Sequence, residues 1–232
     1  MELLVEQIDN ATNLEVLKLW PPLLSLLSSP DSELRRYAAW VTGTAVQNNP
    51  KAQGHLLQYK GVKKLVEKLD DEYSVRRKVL YALGSVLNHF PAAVKQFNEV
   101  GGWKKLRKCV DGIEQGMECQ RRVAFFIANY LAEEGVSTTE IEENAFLPGF
   151  VNILADEKYA GEPDLLDKVR SLRMTLIQTL QAVTMLVTKR VGTSNTQTIT
   201  KLKRLLPKLK STQGDSIDQE TWTALEKSLE TL

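Results

Sequence analysis

Internal repetition constrains this chain more than any other feature, because a sequence that repeats every few dozen residues builds an array of like units. Leu34-Arg35-Arg36-Tyr37-Ala38-Ala39-Trp40-Val41-Thr42-Gly43-Thr44-Ala45-Val46 can be written over Val75-Arg76-Arg77-Lys78-Val79-Leu80-Tyr81-Ala82-Leu83-Gly84-Ser85-Val86-Leu87. Two arginines, an aromatic and a glycine then match at an offset of roughly 41, within the range of armadillo and HEAT units. Pro50 and Pro91 fall in the same register. A third copy, shifted by roughly 44, reads Arg121-Arg122-Val123-Ala124-Phe125-Phe126-Ile127-Ala128-Asn129-Tyr130-Leu131, with Phe125 as the aromatic and Ala128 as the small residue. A shorter apolar segment precedes each copy, at Trp20 to Leu27, Val62 to Leu69 and Trp103 to Val110, and Gly61 or Gly101-Gly102 marks the boundary. The unit therefore reads as helix, turn, helix. A fourth, degenerate copy is expected from Phe146 through Val187, interrupted by a loop at Ala160-Gly161-Glu162-Pro163.

No alternating strand pattern of useful length occurs, and the β-branched residues stand at helical spacing. The expected fold is all-α: a right-handed, armadillo/HEAT-like solenoid of about four helical repeats with a capping helix at each end. As a single domain over 1–232 it divides into an N-terminal cap (1–17), repeats at 19–59, 61–100, 101–146 and 147–193, and a C-terminal cap (194–232). That last cap reads as a loop at Thr193-Ser194-Asn195-Thr196, a basic helix around Lys201 to Lys210 that Pro207 should kink or end, and a final helix around Asp218 to Glu230. Leu3, Leu4, Val5 and Ile8 take helical spacing directly after Met1, so the natural chain is expected to begin further upstream.

Thirty basic and 29 acidic side chains nearly cancel, which gives no reason to expect a nucleic-acid or membrane partner. Cys109 and Cys119 are too few for a disulfide framework and lack the company a zinc site needs, so both are read as free thiols. With no long apolar run and no targeting sequence, a cytoplasmic protein is expected. Phosphate loops, H-E-x-x-H and nucleophile turns are absent, so the chain is read as a binding protein without metal, cofactor or catalytic centre. His55 and His89 read as ordinary polar contacts, and Asp70-Asp71-Glu72 and Glu133-Glu134 as solubilising loop residues. Lys201 to Lys210 interleaves basic and apolar residues, and a solvated face on a capping helix explains it better than an anionic-surface binder. Asn10-Ala11-Thr12 fits the glycosylation pattern but matters only in a secretory compartment.

On the second long helix Val79, Leu83, Val86 and Leu87 form a core stripe, and Gly84 is expected to admit a neighbouring helix. Another face carries Arg77, Tyr81, Ser85 and Asn88, echoed by Arg36, Trp40, Thr44 and Gln47 and by Arg121, Phe125 and Asn129. Stacked repeats would align these residues into a concave groove, and Arg and aromatic residues anchor protein interfaces. The alternative is that Trp40, Tyr81 and Phe125 pack between repeats.

Gln7-Ile8-Asp9-Asn10-Ala11-Thr12-Asn13-Leu14, Leu17-Lys18-Leu19-Trp20, Arg35-Arg36-Tyr37-Ala38-Ala39-Trp40 and Arg76-Arg77-Lys78-Val79-Leu80-Tyr81-Ala82-Leu83 resemble the armadillo-type nucleotide exchange factors of 70-kDa heat-shock chaperones. Asn88-His89-Phe90-Pro91 looks closer to their endoplasmic-reticulum branch, and Gly43-Thr44-Ala45-Val46-Gln47-Asn48-Asn49 is similar to the fungal cytosolic branch, the expected one. The resemblance covers somewhat over half the chain and weakens after about Leu131. It implies a curved domain that embraces one lobe of the chaperone's ATPase domain and distorts it so that ADP leaves. It also places Arg122 where relatives carry a groove arginine, and Ala11 at a small-residue position near the first helix turn. The expected contact set is therefore Ala11, Arg36, Trp40, Gln47, Arg77, Tyr81, Asn88, Arg121, Arg122, Phe125 and Asn129, acting from a protein that is monomeric when free. The rival expectation is an armadillo cargo adaptor, a class marked by regularly repeated groove Trp and Asn; here Asn88 and Asn129 alone suggest such a ladder.

Overall fold

The computed structural model describes residues 6–111, 116–156, 166–213 and 217–232, with the side chains of 166–173 and 212–213 left aside. Every regular element among them is helical. Leu3, Leu4, Val5 and the loop at Ala160-Gly161-Glu162-Pro163 lie outside the described residues. The chain divides into two compact units, 1–106 and 107–232, each taken by itself below.

In the first unit α1 (Ile8–Val16), α2 (Trp20–Ser25) and the long α3 (Ser32–Val46) are followed by α4 (Pro50–Gln58), α5 (Gly61–Glu67), the long α6 (Tyr73–Leu87), α7 (Pro91–Glu99) and the start of α8 (Gly102–Lys108). The expected unit of helix, turn, helix is corrected here. The stretches after the first two long helices, to which that unit assigns no helix, contain helices of their own, α4 and α7, each opening on a proline at its first turn. Proline suits that position because the amide it lacks would have no helical partner there. Asn49 caps α4 by accepting the Ala52 amide at 3.2 Å, and Asp31 caps α3 by accepting the Glu33 amide at 2.8 Å.

Backbone torsions carry the repeat as clearly as the side chains do. Lys18, Lys60, Gly101, Ala145 and Arg190 all have φ between +53° and +67°, and Asn48 and His89 both have φ of +53°. The first series precedes a helix in successive units, and the second sits between a long helix and the proline of the next one. A left-handed residue breaks one helix and re-aims the chain in a single step.

Packing holds the first unit together. Trp20, Leu24, Leu27, Leu56, Val62, Leu65, Val79, Leu83, Val86 and Phe97 are each at most 2 % exposed. Burying such a side chain contributes about 1.5–3 kcal/mol, against about 0–1 for a surface ion pair. The helix pair α3 and α6 lies in close contact because Gly43 has no side chain: a Cβ there would stand 2.8 Å from the Ala82 Cα and from the Tyr81 ring. That role was expected of Gly84, where a Cβ would meet nothing within 4 Å. Polar ties join the units of the repeat, with the Gln53 amide donating to the Ser85 carbonyl at 3.0 Å and Gln96 to the Leu57 carbonyl at 3.4 Å.

Asp71 is no solubilising loop residue. Its two oxygens accept from Arg35 Nε and a terminal nitrogen, both at 2.8 Å, while Arg35 also donates to the Ser29 and Pro30 carbonyls. Arg76 donates to the Asp71 carbonyl at 2.7 Å. In the first two pairs the first arginine, Arg35 or Arg76, thus clamps the bend between repeats, leaving the second to the helix face.

In the second unit α9 (Met117–Ala132), α10 (Thr139–Glu143), α11 (Phe146–Ala155), α12 (Leu166–Thr188), α13 (Thr196–Gln213) and α14 (Gln219–Glu230) follow. α12 packs against α9, α11 and α14, over a core that includes Ile127, Phe146, Phe150, Leu180, Val183, Leu186 and Trp222, none above 1 % exposed. Pro207 lies inside α13 rather than ending it. The proline deprives the Lys203 carbonyl of its helical donor, and because Lys203 is exposed, water can serve that group. Cys109 and Cys119 are buried, and neither is in a disulfide.

Candidate protein-binding face

The expected contact residues of the first unit fall mainly on one surface shared by α3 and α6. Arg36, Trp40 and Gln47 step along α3 and its C-terminal end, and Arg77 and Tyr81 along α6, with Asn88 as that helix's C-cap. The Tyr81 ring lies over Gly43, and its hydroxyl donates to Gln47 Oε1 at 2.9 Å, with Thr44 Oγ1 at 3.4 Å. The Tyr81 aromatic therefore neither plunges into the core nor stands free. It is half-buried and fixed at both ends, between the two readings left open by the sequence.

Two residues that the sequence reading passed over complete this surface. Lys78 places its ammonium 3.3 Å from the centroid of the Trp40 ring, and Tyr37 stacks beside Trp40 at 6.2 Å with an interplanar angle of 11°. The Arg36 guanidinium lies 4.3 Å from the Tyr37 ring centroid and is ion-paired with Glu33. The hydrogen bond with Glu33 raises the Arg36 guanidinium above its ordinary value and lowers the Glu33 carboxyl, so this pair stays charged through the physiological range. The result is a run of cation, ring, ring and cation crossing from α3 to α6. Its signal was present in the sequence: Tyr37 and Lys78 share a register one place after the second arginine, and Tyr37 stands three residues from Trp40, on the same side of the helix.

Ala11 is corrected: its side chain is 1 % exposed, turned toward the core beside Leu14, so a partner cannot touch it. The resemblance placed Ala11 by its small size near the first helix turn, and one small residue on a nine-residue helix does not reveal which side faces in.

In the second unit Arg121, Arg122, Phe125 and Asn129 stand on α9. Arg122 donates to Glu118 Oε1 at 2.8 Å, and Arg121 and Asn129 are half-buried. Phe125 is 53 % exposed and so stands outside the core. Among the described residues no group of three or more His, Cys, Asp or Glu is placed to hold a metal ion, and no helix is long and apolar enough to cross a membrane. Arginine, tyrosine and tryptophan side chains held on a surface are the types that make protein contacts.

Comparison with known proteins gives the fold and the family. Solved structures of designed armadillo repeat proteins are similar in fold: one in complex with the peptide (KR)4, and one computationally designed for modular peptide recognition. Each has a TM-score of 0.72 at 19 % identity and covers 99 % of this chain, with 88 % and 89 % of their own chains covered. The expected armadillo-type fold is thereby established. Proteins named Hsp70 nucleotide exchange factor FES1 are relatives in sequence. That of Mycosarcoma maydis is 42 % identical over 57 % of this chain and 34 % of its own length. That of Schizosaccharomyces pombe is 41 % identical over 58 % of this chain and 47 % of its own length, and that of Eremothecium gossypii is 34 % identical over 74 % and 61 %. The chain thus spans under two thirds of each of these relatives. The model of the SIL1/FES1/HPBP1 C-terminal domain matches residues 10–146, which take in α3, α6 and α9 whole. The resemblance carried by the arginine pairs and by Gly43 through Asn49 rests on common descent, and the chain belongs to the SIL1/FES1/HPBP1 C-terminal domain family.

Proposed function

We propose that this chain is a nucleotide exchange factor: a cytoplasmic protein, monomeric when free, that binds the ATPase domain of a 70-kDa heat-shock chaperone and accelerates ADP release. It does so by binding and distorting its partner, with no cofactor and no catalysis of its own. The observation that carries the reading is the family match over residues 10–146, joined to a pre-built face of Arg36, Tyr37, Trp40, Lys78 and Tyr81 within that span. Trp, Tyr and Arg are the residue types that dominate binding energy at protein interfaces, above all where neighbours already hold them in place. Exchange requires that the factor bind the nucleotide-free chaperone more tightly than the ADP form, by roughly 1–3 kcal/mol, or about 5- to 150-fold. Stopped-flow release of a fluorescent ADP from a cytosolic 70-kDa chaperone measures this; acceleration by the chain is expected, and an unchanged rate refutes the proposal.

A second reading draws on the fold likeness to designed peptide binders: an armadillo scaffold for extended peptides. The cations Arg36, Arg77 and Lys78 on the first unit's face disfavour a basic peptide by charge repulsion. Pull-down with an extended Lys/Arg peptide alongside the chaperone ATPase domain separates the two readings.

A further inference from the structure

We propose that Lys78 is a positioning residue whose ammonium fixes the Trp40 indole, so that Trp40 and Tyr37 meet a partner as one rigid aromatic pair. The inference deepens the exchange-factor reading and rests on it for the partner's identity, but the positioning itself stands on this chain alone.

A tryptophan on a helix surface has two side-chain torsions, and fixing them before a partner arrives removes their ordering cost from binding. Trp40 is half-buried on α3, so packing alone leaves part of the indole in water. Lys78 comes from the other helix. Its Nζ sits 3.3 Å from the Trp40 ring centroid, inside the ~6 Å range in which a cation is attracted to the ring's negative face, and tryptophan is the best aromatic partner for it. The contact is possible because Gly43 lets α6 approach α3, which carries Lys78 toward the ring one turn before Tyr81 reaches over the glycine. Tyr37 lies nearly parallel to the same indole, with the Arg36 guanidinium against its ring. Tyr37 is 48 % exposed, so this pair leaves aromatic surface available to a partner. Lys78 is thus tied to the indole, and a partner that docks on the pair meets side chains whose ordering has already been done.

The chain supplies its own reporter. It holds four tryptophans, and Trp20, Trp103 and Trp222 are 0 %, 2 % and 1 % exposed, so acrylamide quenching of intrinsic fluorescence reports Trp40. Lys78→Met keeps an unbranched side chain one atom shorter and removes the charge, and Lys78→Arg keeps a cation that stacks on indole. The quenching constant should rise about twofold in Lys78→Met and stay near wild type in Lys78→Arg, with thermal midpoints of all three proteins alike. Equal quenching in wild type and Lys78→Met overturns the proposal whether or not a partner binds. Titration of the chaperone ATPase domain follows: Lys78→Met should bind about 5- to 10-fold more weakly, chiefly by faster dissociation, and Lys78→Arg should recover most of the loss. If wild type does not bind that domain, the exchange-factor reading fails while the quenching result still decides the positioning. If wild type and Lys78→Met bind alike, the role of the rigid pair in docking is refuted.

Discussion

The neighbouring arginines of the first two repeats do different work, and Asp71 shows how. Burial pushes the Asp71 carboxyl up, but the hydrogen bonds from Arg35 and from the Glu72 amide, together with the charges of Arg35 and Lys68, outweigh it and hold the group below its ordinary value. A carboxyl lowered on folding contributes stability that is present in full above its unfolded value, about 3.9, and is lost as the pH falls through the folded value. Asp71→Asn keeps the shape and removes the charge, so urea unfolding at pH 7 should show a loss of about 2 kcal/mol, the order of hydrogen bonds to a charged group. At pH 3 the gap from wild type should narrow. A gap that is the same at both pH values would mean that the charge of Asp71 has no part in the clamp. The repeated Arg-Arg pair was plain in the sequence, but the division of labour within it was not: nothing in Asp70-Asp71-Glu72 announces that the middle carboxylate turns inward to an arginine 36 residues earlier.

At the scale of elements, the long helices were legible because their apolar residues recur at helical spacing, and α3, α6 and α9 lie where the repeat puts them. The short helices α4 and α7 were not, because nine residues with a proline at the front give few turns from which to read a period. Their cue was the proline itself, which fits the first turn of a helix as well as it fits a loop. The choice between Gly43 and Gly84 was equally hidden. Both hold the same place in the repeat, and only the partner helix decides which is crowded. Gly43→Ala puts a methyl 2.8 Å from the Ala82 backbone, which cannot swing aside as a side-chain tip does. Overpacking of this kind costs about 1–3 kcal/mol, while alanine returns up to about 1 kcal/mol of helix propensity. The net expectation is a loss of about 1–2 kcal/mol in chemical denaturation, with the Tyr81 to Gln47 hydrogen bond stretched. Gly84→Ala, with open space at its Cβ, should be neutral or mildly stabilising; reversal of that order would relocate the close approach.

For the whole molecule, near-zero net charge and the absence of catalytic signatures limited what the chain could do without saying what it does. Repeats supplied the fold, since each unit must stack on the next to bury its apolar face. Family descent is the ground for the proposed partner class, and neither helical spacing nor composition could have suggested it, because a binding surface is defined by complementarity to something outside the chain. The mechanism nevertheless makes a demand that can be tested at this scale. If the chain loosens ADP by binding, ADP must loosen the chain by the same factor, since coupling free energy is reciprocal. Calorimetric titration of the chaperone ATPase domain with this protein should therefore give an affinity about 5- to 150-fold weaker at saturating ADP than without nucleotide, corresponding to about 1–3 kcal/mol. Trp40→Ala removes an aromatic anchor and should weaken binding by about 2 kcal/mol in both conditions. It should leave the ADP-dependent ratio nearly unchanged if Trp40 contributes affinity alone, and shrink the ratio if the indole contacts the lobe that moves. An affinity indifferent to ADP would leave a protein that binds the chaperone without exchanging its nucleotide.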